Sequence, residues 1–322
     1  MSQPAAAEIR RLEFAVDFPP GHAAAYLVPG PEPVLFDAGT LGSDGEADLR
    51  AGLAEHGLDP ADVAHVVLTH LHVDHVGQVG TLREAGDATL HVPTTVRDRL
   101  DRDLEDVRAA ARLNMLAAGV PEDRVADALS EFVRAQEIMR DVVSPAAVDD
   151  WIDPGTTTTV GDLELDPIHT PGHDATHVCY PTTLDEPVVF SGDMLIEPFR
   201  AILVNAGFDE GVADGIDAYR TALDRLAGVD AERVYPGHGP VHADLAGTID
   251  RDRGTLDDRV AECEAALRES GSHALHVASS LTDDEAGFVR LLPETVAALA
   301  HLERTDRARS WTDGGVRFYA PA

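Results

Sequence analysis

The sequence predicts a mixed α/β fold. Short apolar runs alternate with stretches of helical period along the first 92 residues. Strand-like segments return after residue 156. The His-, Asp- and Gly-rich polar clusters each follow directly on an apolar run, where open sheets place functional loops. With 44% hydrophobic residues among 322, the chain can bury a substantial core. Its length fits one large domain with an appendage, or two domains, at about 100–200 residues each.

In chain order, Arg11–Phe18 and Ala24–Val28 read as strands, and Val34-Leu35-Phe36 as a short one ending at Asp37-Ala38-Gly39. Glu46–His56 has helical spacing, Ala64–Leu68 is a compact buried strand, Val76–Ala85 a helix and Ala88–Val92 another strand. From Pro93 to about Val143, Leu100, Leu104, Val107 and Ala111, then Val125, Leu129 and Phe132, recur at helical spacing. This predicts a helical insertion over about residues 93–150, broken near Gly119-Val120-Pro121, and suggests a helical cover over a small-ligand site. Strands follow at Thr156–Val160, Leu163–His169, His177–Tyr180, Pro187–Phe190 and Arg233-Val234-Tyr235, with a helix at Asp217–Leu226.

After about Asp244 no strand is expected until the end. Leu245–Ser270 reads as a long charged helix, His273–Leu281 as a short one and Pro293–Arg304 as an amphipathic one. The last residues suggest a hairpin turning at Asp313-Gly314-Gly315. Helix, helix, helix and hairpin make a winged-helix-like unit over residues 246–322, set after a catalytic domain of residues 1–245.

Charge narrows the chemistry. The chain carries 58 acidic and 25 basic side chains, a formal charge of −33, and all the basic ones are Arg. Without Lys there is no P-loop lysine, Schiff-base lysine or pyridoxal-phosphate lysine. So negative a chain repels nucleic acid. Acid excess without Lys resembles the proteins of extreme halophiles, where a Debye length of about 3 Å at 1 M salt mutes carboxylate repulsion. Cys179 and Cys263 form no CxxC and read as reduced, buried thiols of a cytosolic protein. The N-terminal residues carry no apolar run of signal-peptide length, and no segment approaches a membrane span.

The chemistry concentrates in Thr69-His70-Leu71-His72-Val73-Asp74-His75. Four candidate metal ligands fall within six residues after an apolar strand. The His-x-His spacing matches a strand end whose alternate side chains share a face, and Asp74-His75 sit on the turn into the next helix. Such a grouping should arise by chance in roughly a few chains per thousand. Thr170-Pro171-Gly172-His173, Ser191-Gly192-Asp193 and Tyr235-Pro236-Gly237-His238-Gly239 add His173, Asp193 and His238, beside glycines that allow close approach.

HxHxDH, TPGH, SGD and PGHG in this order resemble the metallo-β-lactamase superfamily of dinuclear metal hydrolases, over about residues 10–245. Phe36-Asp37-Ala38-Gly39 matches the family's early Asp motif, which supports the active site from behind. The resemblance implies a four-layer αββα sandwich. It further implies that His70, His72 and His173 hold one metal, that Asp74, His75 and His238 hold a second, and that Asp193 bridges them. Nitrogen and carboxylate donors suit two Zn²⁺, with Mn²⁺ or Fe²⁺ as alternatives. Catalytic weight falls on Asp74 and Asp193. Weaker candidates are His177 as a supporting residue, Arg200 as a partner for an anionic substrate and His242 as a substrate contact.

The complete seven-ligand pattern resembles the glyoxalase II type. The C-terminal unit after YPGHGP resembles the β-lactamase-like-protein-2 branch, some of whose members are endoribonucleases. Hydrolysis of a small ester or thioester is the favoured expectation. Single-strand RNA cleavage is the alternative, opposed by arginines scattered among acids. A non-enzymatic winged-helix regulator is the third reading, disfavoured by the intact ligand set.

Overall fold

A computed structural model describes residues 9–282 and 285–322. Residues 1–8, part of the N-terminal stretch read for a leader, lie outside the described residues.

The first sheet comprises β1 (Arg10–Ala15), β2 (His22–Val28), β3 (Val34–Phe36), β4 (His65–Val67), β5 (Thr89–Pro93) and β6 (Asp150–Ile152), lying side by side in chain order. Its first three strands are antiparallel, and β3 to β6 run parallel. The second sheet comprises β7 (Thr158–Val160), β8 (Leu163–Leu165), β9 (Ile168–His169), β10 (Val178–Thr183), β11 (Pro187–Gly192) and β12 (Arg233–Pro236), in the order β12-β11-β10-β8-β7 with β9 beside β10.

Alternation along the strands stacks these sheets. In β2, Ala24, Tyr26 and Val28 face β10 and β11, packing with Phe36, Tyr180, Val188 and Phe190, while Ala25 and Leu27 face the opposite way. Phe36 and Phe190 stack at 3.8 Å between ring centroids, joining the sheets directly behind Asp37 and Asp193. Leu35, Val66 and Leu90 on the outer face of the first sheet bury Leu49 and Leu53 of α1 (Gly42–Ala54). That layer also holds α2 (Val73–Val76) and α3 (Val79–Gly86), the latter through Val79 and Leu82. Helix, sheet, sheet and helix give the expected αββα layering.

The insertion supplies α4 (Arg97–Asp101), α5 (Leu104–Ala117) and α6 (Glu122–Val142), with the break between the last two around Gly119. Ala111, Leu129 and Val133 form a small cluster with Phe132 and Phe208. On the outer face of the second sheet, α7 (Gly215–Leu226) shares one core with α8 (Leu245–Ala265), α9 (Ala274–Leu281) and α10 (Glu285–Arg304). A third sheet, β13 (Ser272–His273), β14 (Ala308–Asp313) and β15 (Val316–Pro321), ends the chain in the order β13-β15-β14.

Several boundaries differ from the sequence reading. The helix expected at Val76–Ala85 is two helices, because Gly77 lies against the Thr40–Leu41 backbone, where a Cβ would come within 2.1 Å of Thr40 C. The first of them begins at Val73 and so carries Asp74 and His75. The helix from Leu245 stops at Ala265, and Ser272–His273 pairs with Tyr319 and Phe318 where no strand was expected. Helix α10 runs through Pro293, expected as its start, because packing of Leu292, Ala297, Ala298 and Leu299 compensates the missing N–H. Both cysteines are buried and unpaired.

Candidate metal centre

β4 ends at Val67, three residues before His70, so His70 and His72 leave the sheet on a loop, not on a strand end. The loops after β9, β11 and β12 deliver His173, Asp193 and His238 to the same point. Gly237 is required there, since a Cβ would stand 2.5 Å from the His75 ring and 2.6 Å from Asp193 Oδ1. Gly192 has φ +46°, and its missing side chain leaves room for Thr69 and His177.

Donor atoms of His70, His72, His173 and Asp193 gather within 4.8 Å of one another, and so do those of Asp74, His75 and His238. The Asp193 carboxylate touches both groups: Oδ1 lies 3.1 Å from His75 Nε2 and Oδ2 lies 3.1 Å from His173 Nε2. All seven predicted residues therefore converge.

Four of the five imidazoles, those of His70, His75, His173 and His238, are held by an outer bond that fixes which nitrogen faces inward. His173 Nδ1–H donates to Ile202 O at 2.8 Å and His238 Nδ1–H donates to His22 O at 2.7 Å. Asp37 Oδ2 accepts from His75 Nδ1 at 2.9 Å, and Asp37 Oδ1 accepts from Thr69 N at 2.8 Å. The Thr69 hydroxyl has one proton, donated to Asp37 Oδ2 at 2.9 Å, so it accepts from His70 Nδ1 at 2.9 Å. His72 reverses the pattern, with Nδ1 inward, 2.9 Å from His173 Nε2, and Nε2 outward, 3.8 Å from Asp174 Oδ2.

These residues fit a pair of cations. Among the described residues, His70 Nε2 is buried with no hydrogen-bond partner, and His75 Nε2 and Asp193 Oδ1, buried 3.1 Å apart, form no aligned hydrogen bond with each other or with another group. Buried polar atoms are normally paired, so three converging lone pairs point to cation ligation. Burial lowers the proton affinity of His70 well below the ordinary value and that of His72 to about 4, with neighbouring imidazoles adding to the effect. Burial opposes protonation of His75 and His238 as well, but the Asp193 carboxylate overrides it. His75 is held well above the ordinary value, with Asp74 and Asp37 contributing, and His238 is raised to about 10. Asp74, despite burial, is held at about 2 by His75 and His238. His70 and His72 are thus neutral and ready to ligate, while a cation bound at His75 and His238 would take the place of their protons beside Asp193.

His177 is fully buried, and its Nε2 accepts from Asp193 N at 3.1 Å while Nδ1 meets Thr170 Oγ1 at 2.8 Å. Burial lowers it to about 3, so it stays neutral and pins the Asp193 backbone. Arg200 stands in the cavity wall, its guanidinium turned to Glu294 Oε1 at 2.6 Å. His242 lies outside the cavity lining and bonds Leu195 O at 2.8 Å.

The sequence reading missed two supporting residues. Thr69, inside the decisive motif, carries the bond that orients His70. Asp174 follows His173 directly. Burial would raise its carboxyl, but Arg99 from α4, at 2.8 Å, and His72 hold it well below the usual carboxylate range. Only the GHDATH context hinted at it.

Above the cluster opens a cavity of about 330 Å³, lined by Phe18, Pro19, Ile196, Phe199, Ile202 and Val204 together with ligand-cluster residues. No lining residue comes from the 93–150 insertion. The expected helical cover is thus not part of this wall, because α5 and α6 pack outward on Phe208 and Asn114 bonds Phe208 O and Asp209 O.

The profile of the Metallo-beta-lactamase superfamily matches residues 18–238. A hydroxyacylglutathione hydrolase of Polaromonas sp. is 33% identical over 109 residues, 33% of this chain and 39% of that protein. The probable metallo-hydrolase YqjP of Bacillus subtilis is 24% identical over 310 residues, 94% of each. The crystal structure of a metallo-beta-lactamase family protein from Thermus thermophilus superposes with a TM-score of 0.79 at 24% identity, covering 98% of both chains. The hydroxyacylglutathione hydrolase match therefore spans about two fifths of that relative's length.

Proposed function

The chain belongs to the metallo-beta-lactamase superfamily and is a hydrolase of that family, and from that premise we propose that it binds two Zn²⁺ and cleaves an ester or thioester of a small molecule. The observation that carries this reading is the set of buried donor atoms of His70, His75 and Asp193 that form no aligned hydrogen bond among the described residues, backed by outer bonds that fix the imidazole tautomers. His70, His72 and His173 would hold one ion and Asp74, His75 and His238 the other, with Asp193 between them. Such a pair supplies hydroxide at neutral pH and polarises the bond under attack.

The protein's own residues do the rest. Asp74 lines the cavity as an ionised carboxylate, placed to orient the attacking water. Asp37 and Thr69 keep His75 and His70 in one tautomer, and His177 fixes the Asp193 backbone. The apolar wall excludes competing water.

We also read residues 1–245 as the catalytic domain and 246–322 as a winged-helix-like unit. A reducing, cytoplasmic location fits the buried free thiols, and a saline one fits the −33 charge. Single-strand RNA cleavage is the alternative activity, supported only by the helix-and-sheet make-up of the C-terminal unit.

The test is elemental analysis of protein grown in zinc-replete medium, followed by a hydrolysis screen at molar salt over thioesters, lactones, phosphodiesters and short RNAs. Close to two ions per chain and turnover of acyl substrates are expected. One ion or none, or turnover of RNA alone, would refute the reading.

A further inference from the structure

The cavity over the metal centre has a chemical character that the ligand set does not dictate. Its walls come from two loops: Phe18 and Pro19 after β1, and Ile196 to Val204 after β11. Seven apolar side chains stand there, and among the described residues Arg200 is the single Lys or Arg of the lining.

That arginine is already spent. Its side chain is only 8% exposed and pairs with Glu294, itself 5% exposed. Nη2 donates to Glu294 Oε1 at 2.6 Å, Nε to Thr255 Oγ1 at 3.0 Å and Nη1 to Ala201 O at 3.0 Å. Every guanidinium nitrogen thus has an acceptor on the protein. An anionic substrate group entering this wall, away from the metal ligands on the cavity floor, would lose its hydration and, among the described residues, find no arginine without a protein partner, a costly exchange. A neutral, apolar group loses nothing there and gains from burial.

Resting on the hydrolase reading above, we propose that the substrate is a neutral ester or thioester whose apolar acyl group packs against Phe18, Ile196, Phe199 and Ile202. At ~30 Å³ per water-sized group, the cavity admits an acyl group of about ten non-hydrogen atoms. In the reaction the acyl C–O or C–S bond breaks and the water oxygen joins the acyl carbon. One proton goes to the departing alcohol or thiol and the other to solvent, leaving a carboxylate. The wall suits the acyl side, because the only charge that side acquires forms beside the metal ligands and not in the apolar region.

The experiment compares kcat/KM of the zinc-loaded full chain on N-acetylcysteamine thioesters of acetate, butyrate, hexanoate and adipate. Each methylene from acetyl to hexanoyl is expected to raise kcat/KM up to about fourfold. The adipoyl thioester, equal in length but ending in a carboxylate, is expected at least tenfold below hexanoyl. Ile202 is 40% exposed at the rim, so Ile202→Arg tests the charge argument on a site that tolerates a long polar side chain. It should raise the adipoyl-to-hexanoyl ratio at least tenfold with two bound ions retained. Equal turnover of all four thioesters, or an unchanged ratio in Ile202→Arg, overturns the inference while leaving the hydrolase standing. No turnover of any acyl substrate by protein holding two ions overturns both.

Discussion

Asp37 Oδ2 lies 2.9 Å from His75 Nδ1, and the same carboxylate accepts from the Thr69 backbone and hydroxyl. One buried aspartate, behind the sheet edge, therefore sets the orientation of the metal-binding motif. Asp37 also has φ +60°, a backbone state held by Asp37 N donating to Val67 O and Ala38 N to His75 O. Asp37→Asn should weaken binding of the ion at Asp74, His75 and His238 about 10–100-fold. Competitive chelator titration would show it as one weakened site out of two.

Asp193→Ala and His72→Ala should each abolish measurable hydrolysis, a loss of at least ~10²-fold, with the circular dichroism spectrum unchanged. Full activity in either variant would overturn the proposed chemistry.

Asp252 gives a pH signature away from the metals. It is fully buried, Oδ2 has no hydrogen-bond partner among the described residues, and burial raises its carboxyl to about 6 despite Arg251 beside it. The folded chain therefore keeps this proton where the unfolded chain, near 3.8, has released it. Stability should fall as pH rises from about 4 to about 6, by up to about 3 kcal/mol, and this contribution should level off above. Asp252→Asn should remove that slope in urea unfolding and stabilise the protein at pH 7–8.

The C-terminal helices hold the cavity wall. Arg251 of α8 donates to Ile196 O at 2.5 Å and Phe199 O at 3.4 Å, while Glu294 of α10 takes Arg200, Arg259 and Leu203 N. Glu294→Gln should cost about 3–5 kcal/mol by leaving buried guanidinium charge unpaired. In thermal unfolding the variant should melt lower. In kinetics it should raise KM for a neutral thioester more than it lowers kcat.

The −33 formal charge predicts a salt requirement. The melting temperature should rise between low and molar potassium chloride as carboxylate repulsion is screened. A flat or falling curve would remove the halophilic reading.

The ligand motifs were legible because they are local. HxHxDH lies within six residues, and TPGH, SGD and PGHG each carry their own glycine. Strands such as Ala24–Val28 showed as apolar runs because both sheet faces are buried, against Phe190 on one side and Leu49 on the other. Thr69 was harder to read, since its role depends on Asp37, 32 residues earlier in the chain. The two-residue strand at Ser272–His273 was not legible at all, being defined only by its pairing with Tyr319 and Phe318.

By itself the sequence determined a mixed α/β chain, the four motifs that carry the seven donors and the exclusion of lysine chemistry, for which residue type and short-range spacing suffice; the αββα layering was implied by the family resemblance those motifs carry. Tertiary structure alone decided that Arg200 faces Glu294, 94 residues away, and that the insertion leaves the cavity wall to the 196–204 loop. The charge available to a substrate depends on which partners reach a side chain across the fold, and no local pattern encodes that pairing.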